Sequence, residues 1–194
     1  MSMNMPNMLA YTIQSSLYAG TKPSICVDYG KNATWMVPDK PQDDSYWIVF
    51  LNAKNPREKV KEWVVPGQNN SAVPAGIDTY MNDPDYIFVV ATQYLSTLHV
   101  PQGPFYDFLT KYGAGRALQR LEQMATVLSC GTYSHMAYIL TGQGGPRDPK
   151  LPPPINYEMS STSTGSPALM LMSLMPMPNG GPPYSICDSY TFHH

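Results

Sequence analysis

Charge is scarce in this chain. Only 13% of its 194 residues are Asp, Glu, Lys or Arg, against roughly a quarter in an average globular protein. The formal net charge is −2, which gives no electrostatic reason to expect nucleic acid, since nucleic-acid binding relies on a basic stripe. The sequence therefore predicts no nucleic-acid partner.

Long hydrophobic runs are also missing. No segment reaches the roughly 18–20 apolar residues that span a bilayer, so we expect no membrane span. Residues 1–20 also lack the positive n-region and the uninterrupted apolar h-region of a signal peptide. The low charge, with 20 Pro, 14 Tyr and 13 Met, is nevertheless typical of secreted or assembled surface proteins and predicts an extracellular or particle-surface location.

Recognisable catalytic and metal-binding patterns are absent from the sequence. The internal histidines, His99 and His135, do not fall in HxxxH, HExxH or CxxC spacing. Cys130 and His135 could form a nucleophile pair, but no motif accompanies them. The Gly-rich residues 142–145 follow a strand and lead into Pro146, so they offer no helix N-terminus to a phosphate. We predict no catalysis, metal or cofactor.

Two acidic turns lack the ordered ligand spacing of a calcium loop. These are Asp43-Asp44 and Asp83-Pro84-Asp85. We interpret them as solvated turn carboxylates.

The three cysteines are too few to define a disulfide scaffold. Cys26 and Cys187 each follow Ser-Ile and lie near opposite ends of the chain. A disulfide between them would remove about 4–5 kcal/mol of unfolded-state entropy. The alternative is three reduced thiols, with Cys130 acting as a small buried hydrophobe.

Apolar patterning predicts the fold class. Near-continuous apolar runs predict strands at residues 46–51, 62–65, 86–91 and 136–140. Helical spacing predicts a helical pair between Pro104 and Met124, interrupted at Gly113 and Gly115. This mixed order predicts an α+β fold, a mainly antiparallel sheet or sandwich with two or three packed helices.

The chain divides into three segments by composition. Residues 1–22 form an N-terminal arm or edge strand, residues 23–158 the main domain, and residues 159–194 a Met/Pro-rich tail. The apolar stripe at residues 168–175 could cover a partner, because Met adapts to irregular surfaces, or it could fold back on the core of its own domain.

Five short motifs in order resemble the ILEI/PANDER-type domain of cytokine-like proteins over about residues 24–145. They are an Ile-Cys-acidic step at 25–28, a valine-rich strand with an Asn/Lys turn at 48–54, a hydrophobic-Phe-Val-Ala strand at 87–91, a Leu-x-x-hydrophobic-Gly helix at 109–113, and a closing strand with a Gly turn at 138–144. Relatives often carry a late Cys, which Cys187 could supply.

The resemblance implies a non-enzymatic recognition module, lectin-like or cytokine-like, that binds a glycan or a protein surface. Two departures remove charged groups that could hold a ligand. Ser134-His135 stands where relatives often have an Arg-Asp pair, and Thr92-Gln93-Tyr94 stands where an acidic pair is common.

Aromatic side chains in loops or at helix starts are the candidate ligand contacts. A Tyr ring combines an apolar face with a hydrogen-bonding edge, which suits sugars and protein partners. The predicted ligand-binding residues are Tyr94, His99, Tyr106 and Tyr133. The alternative function is a structural component of a larger extracellular or virion-type assembly, with the arm and tail packing on neighbouring subunits or on further copies of the chain.

Overall fold

Strands predominate in this protein, whose computed structural model describes residues 7–128, 134–147, 150, 154–161 and 166–188. The strands are β1 (Leu9–Gln14), β2 (Ser24–Val27), β3 (Thr34–Met36), β4 (Ser45–Asn52), β5 (Asn55–Pro66), β6 (Tyr86–Gln93), β7 (Leu95–Ser96), β8 (His135–Met136), β9 (Tyr138–Gln143), β10 (Asn156–Ser160), β11 (Leu169–Met175) and β12 (Ser185–Asp188). The helices are α1 (Ile77–Met81), α2 (Gly103–Lys111) and α3 (Arg116–Leu128). Tyr133 and Cys130 lie outside the described residues.

The strands assemble into two five-stranded sheets. The first sheet has the order β12-β11-β1-β2-β3, and the second has the order β10-β9-β6-β4-β5. Strands β7 and β8 pair separately. Every pairing between named strands is antiparallel. The predicted α+β class with a mainly antiparallel sandwich is confirmed.

The second sheet is the middle layer, which explains the unbroken apolar runs of its central strands. Successive residues of a strand point to opposite faces. In β4, Trp47 and Val49 pack against the first sheet, while Tyr46 and Ile48 pack against the helices. Burying each such side chain stabilises the fold by about 1.5–3 kcal/mol.

The helical pair has the predicted spacing. In α2, Phe105, Phe108 and Leu109 share the buried face, as residues three and four apart do on a helix. Gly113 follows α2 with φ of 107°, a left-handed conformation that favours glycine and ends the helix. Helix α3 then begins at Arg116.

The described part of the N-terminal segment, residues 7–22, is not an arm or an edge strand. Strand β1 lies in the centre of the first sheet, between β11 and β2. Its alternate residues Leu9, Tyr11 and Ile13 are buried in the core between the sheets, so the apolar patch belongs to this domain. The tail folds back, since residues 169–174 of β11 pair with residues 9–14 of β1.

The predicted disulfide between Cys26 and Cys187 is wrong for this fold. Strands β2 and β12, which carry them, are separated by β1 and β11. Three inter-strand spacings amount to about 14 Å, whereas disulfide-bonded Cα atoms lie about 4.4–6.8 Å apart. The buried Cys26 is a free thiol, and its Sγ lies 3.5 Å from the carbonyl oxygen of Asp28.

Candidate functional site

Polar and aromatic side chains meet at one end of the second sheet. Strands β4 and β6 are antiparallel neighbours, with Ser45 opposite Gln93. The residues before β4 therefore face the residues after β6. The turn containing Asp44 meets the loop that starts at Tyr94. Together with β8, they form what we call the His99 site, which comprises Asp43, Asp44, Tyr94, His99 and His135.

An ion-pair geometry between Asp44 and His99 defines the site. Oδ2 of Asp44 lies 2.5 Å from Nδ1 of His99. The other carboxylate oxygen, Oδ1, accepts the backbone N–H of Ser96 at 2.9 Å. Because a carboxylate oxygen accepts hydrogen bonds, Nδ1 is the donor in this contact, and Nε2 is the ring nitrogen left to bond a ligand. Asp44 thereby fixes the orientation of the imidazole.

An aromatic stack forms the second part of the site. The rings of Tyr94 and His135 are parallel within 8°, with centroids 3.5 Å apart. The pairing of Ser96 with His135 between β7 and β8 brings His135 to this position. Partial burial lowers the pKa of His135, and the nearby carboxylates of Asp44 and Asp43 partly offset that effect. The stacked imidazole is therefore neutral at pH 7.

Asp43 and Asp44 are held by hydrogen bonds. Oδ1 of Asp43 accepts from Nε2 of Gln93 at 3.1 Å, and Oδ2 accepts from the backbone N–H of Gly20 at 3.0 Å. Asp43 is exposed, as expected of a solvated turn carboxylate, and Asp44 is partly exposed, but both also accept hydrogen bonds from distant parts of the chain.

The backbone is locally unfavourable at this site. Among the described residues, positive φ outside glycine occurs at Asp28 (70°), Asp44 (54°) and Tyr94 (48°). Such conformations are uncommon for residues with a side chain, and they concentrate where function constrains the backbone. Asp44 precedes β4 and Tyr94 follows β6, so both lie at the same end of this strand pair.

Several elements hold the His99 loop in place. The hydroxyl of Tyr46, on β4, donates to the carbonyl oxygen of His99. Nδ2 of Asn70 donates to the carbonyl oxygen of Val100 at 2.7 Å. The backbone N–H of Thr97 donates to the carbonyl oxygen of Ser134 at 3.0 Å. The imidazole therefore sits on a loop anchored from β4, from the segment after β5 and from the segment before β8.

The chemistry open to this arrangement is hydrogen bonding and stacking. Among the described residues, no hydroxyl or thiol bonds to the His99 ring. The described part of the chain also contains no group of three His, Cys, Asp or Glu residues that could hold a metal ion. His99 can form a hydrogen bond with a ligand through Nε2, and the Tyr94–His135 stack can contact an apolar ligand face.

The structure brings together some of the predicted ligand contacts. Tyr94 and His99 share the site. Tyr106 lies on α2 and packs against the helix-side core, and Tyr133 lies outside the described residues. Sequence reasoning missed Asp44 and His135 as site residues. Their signals in the sequence were the acidic dipeptide before β4 and the histidine directly before the predicted strand at residues 136–140.

No protein-family model matches this chain, and no curated protein shows significant similarity to it. None of the helices in the described part of the chain combines the length and apolar character needed to cross a membrane. The geometry of the His99 site therefore carries the functional argument.

Proposed function

We propose that this protein is a non-enzymatic recognition module that binds a glycan through the His99 site. The hydrogen bond between Asp44 and His99 carries the proposal. It orients the imidazole and leaves Nε2 to bond a ligand hydroxyl, with no hydroxyl or thiol of a described residue bonded to the ring.

The Tyr94–His135 stack supports the same class of ligand. Aromatic rings offer an apolar face to the C–H face of a sugar, while the Tyr hydroxyl and imidazole nitrogens can bond to its hydroxyl groups. The two rings are already packed on each other, so little conformational freedom is lost when a ligand binds.

We also propose that the domain is of the ILEI/PANDER type and works outside the cell or on a particle surface. The ordered motifs of residues 24–145 support this assignment. The departures from the family do not weaken the proposed site, since it uses His135 and the carboxylates before β4 instead of the charged pairs that the chain lacks.

A glycan array with matched variants tests the proposal. Wild-type protein should bind at least one glycan class, and His99→Ala should weaken that binding by roughly tenfold or more, because it loses a hydrogen bond in a partly buried site. Tyr29→Ala is the control, since Tyr29 is 75% exposed at the turn after β2. An array without binding, or His99→Ala binding as wild type does, would contradict the proposal.

The second candidate function is a structural role in a larger assembly, favoured by the outward face of the first sheet. Trp35 is 68% exposed and Leu171 is 56% exposed. Both lie on one row across the sheet, with Cys26 and Thr12 between them. Exposed apolar surface on a sheet often marks an interaction site. Light scattering should then report an oligomer that Trp35→Lys dissociates, and a monomer at all concentrations would exclude self-assembly.

A further inference from the structure

A cleft lies between the first turns of α3 and strand β10, separate from the residues of the His99 site. Its volume is about 450 Å³, within the range of small-molecule sites. The lining residues are Arg116, Ala117, Arg120, Glu158, Met159 and Ser160. The cleft thus combines two cations, one carboxylate and a short apolar surface.

The positions of the two arginines destabilise their own helix, α3. Arg116 and Arg120 are four residues apart, so they share one face of α3, where like charges repel. They also occupy the start of a helix without an acidic residue in its first turn, where the helix dipole disfavours cations. Neither forms an ion pair with a carboxylate of a described residue.

Glu158, the carboxylate in the cleft, is already engaged by other groups. Its Oε1 accepts the backbone N–H of Ala117 at 2.8 Å. Its Oε2 accepts the backbone N–H of Leu118 at 3.3 Å and the hydroxyl of Tyr138 at 3.0 Å. Glu158 therefore caps the start of α3 and bonds to these donors, while no ion pair joins it to Arg116 or Arg120.

We infer that this cleft binds the anionic group of an acidic saccharide, a carboxylate, sulfate ester or phosphate ester, on Arg116 and Arg120. Guanidinium groups bind such planar or multidentate oxyanions with charge-assisted, often bidentate hydrogen bonds. Met159 and Ala117 offer an apolar surface to the sugar ring. The choice of a saccharide rests on the proposed glycan recognition, whereas the choice of an anion rests on the two arginines.

Titration of the ¹⁵N-labelled protein with four matched hexoses tests the inference. The probes are glucuronate, glucose 6-sulfate, glucose 6-phosphate and neutral glucose. At least one anionic hexose should shift the amide resonances at the start of α3 and bind roughly tenfold or more tightly than glucose, because charge-assisted hydrogen bonds are stronger than neutral ones. The anion that binds best identifies the acid group of the ligand.

Three variants separate the cleft from general charge effects and from the His99 site. Arg116→Gln/Arg120→Gln should lose the anion preference. Lys22→Gln/Lys40→Gln removes the same charge from exposed residues elsewhere and should keep it, as should His99→Ala. The inference is overturned if no anionic hexose binds wild type better than glucose, if the double arginine variant binds as wild type does, or if both double variants lose binding equally. Because His99→Ala is scored on the array and the arginine variant on the titration, the two proposals fail independently.

Discussion

Gly67 and Asp44 pack directly against each other at the base of the His99 site. The backbone N–H of Gly67 donates to the carbonyl oxygen of Asp44 at 2.6 Å, so the two chain segments are in close contact. A Cβ atom at position 67 would lie 2.6 Å from Oδ1 of Asp44, too close for van der Waals contact. The position of the carboxylate that orients His99 therefore depends on the absence of a side chain at position 67.

Gly67→Ala should consequently weaken glycan binding. The new methyl group would displace the Asp44 carboxylate from its present position, and loss of its hydrogen bond to His99 should lower affinity by roughly tenfold. Binding to the best glycan of the array measures the effect. Gly181→Ala is the matched control, since its Cβ would lie 3.6 Å from the Asn179 side chain, an ordinary contact. Equal losses in the two variants would argue against the Asp44 mechanism.

The stability of the protein should fall in mild acid because of His135. Burial lowers its pKa in the folded protein, while the unfolded chain titrates near its ordinary value of about 6.5. Below pH 6.5 the unfolded state therefore binds more protons, and the free energy of unfolding decreases as the pH falls towards the folded pKa. Above pH 6.5 the imidazole is mostly neutral in both states, so the free energy of unfolding there does not carry this loss.

His135→Phe provides the comparison for this pH effect, because it keeps a flat ring against Tyr94 without a titrating group. Urea unfolding between pH 5 and 7.5, about the range in which histidine titrates, should give a shallower pH dependence for the variant than for wild type. Identical profiles would mean that His135 does not contribute to the acid sensitivity.

Glu158 should stabilise the fold through its position at the start of α3. Glu158→Ala removes the acceptor for the backbone N–H of Ala117 and for the hydroxyl of the buried Tyr138. Leaving buried donors unsatisfied should lower the free energy of unfolding by about 1–3 kcal/mol. Chemical denaturation measures this loss. Glu122→Ala, on an exposed position of the same helix, should change stability by less than about 0.5 kcal/mol.

Cys26 should react only after unfolding. It is 8% exposed, and burial, followed by the charge of Asp28, raises the pKa of its thiol, so little thiolate forms at neutral pH. Alkylation followed by mass spectrometry should label Cys26 slowly in the folded protein and rapidly in denaturant. A non-reduced peptide that joins Cys26 to Cys187 would contradict the strand order of the first sheet.

Local patterns in the sequence were sufficient for the secondary structure of the central layers. The apolar run at residues 86–91 lies within β6, because a strand buried on both faces has no polar alternation. The helical spacing before Gly113 and after Gly115 corresponds to α2 and α3. These features depend on residues close in sequence, so they could be predicted without the tertiary fold.

Local sequence patterns could not identify which strands pair with each other. The short apolar patch at the N-terminus carries no local sign that it pairs with β11, which is more than 150 residues away in the chain. The same missing information led to the incorrect Cys26–Cys187 disulfide. Similar Ser-Ile-Cys surroundings reflect similar strands, and only the sheet order determines whether those strands are neighbours.

In the candidate site, too, some features were predictable from local sequence and others only from the tertiary structure. The sequence by itself determined that Tyr94 and His99 lie in a polar loop after a buried strand, and that no familiar catalytic motif accompanies them. The tertiary structure alone decided that Asp44 orients His99 and that His135 stacks on Tyr94. The physical reason is register: antiparallel pairing of β4 with β6 and of β7 with β8 brings these side chains within bonding distance, and no local pattern specifies that pairing.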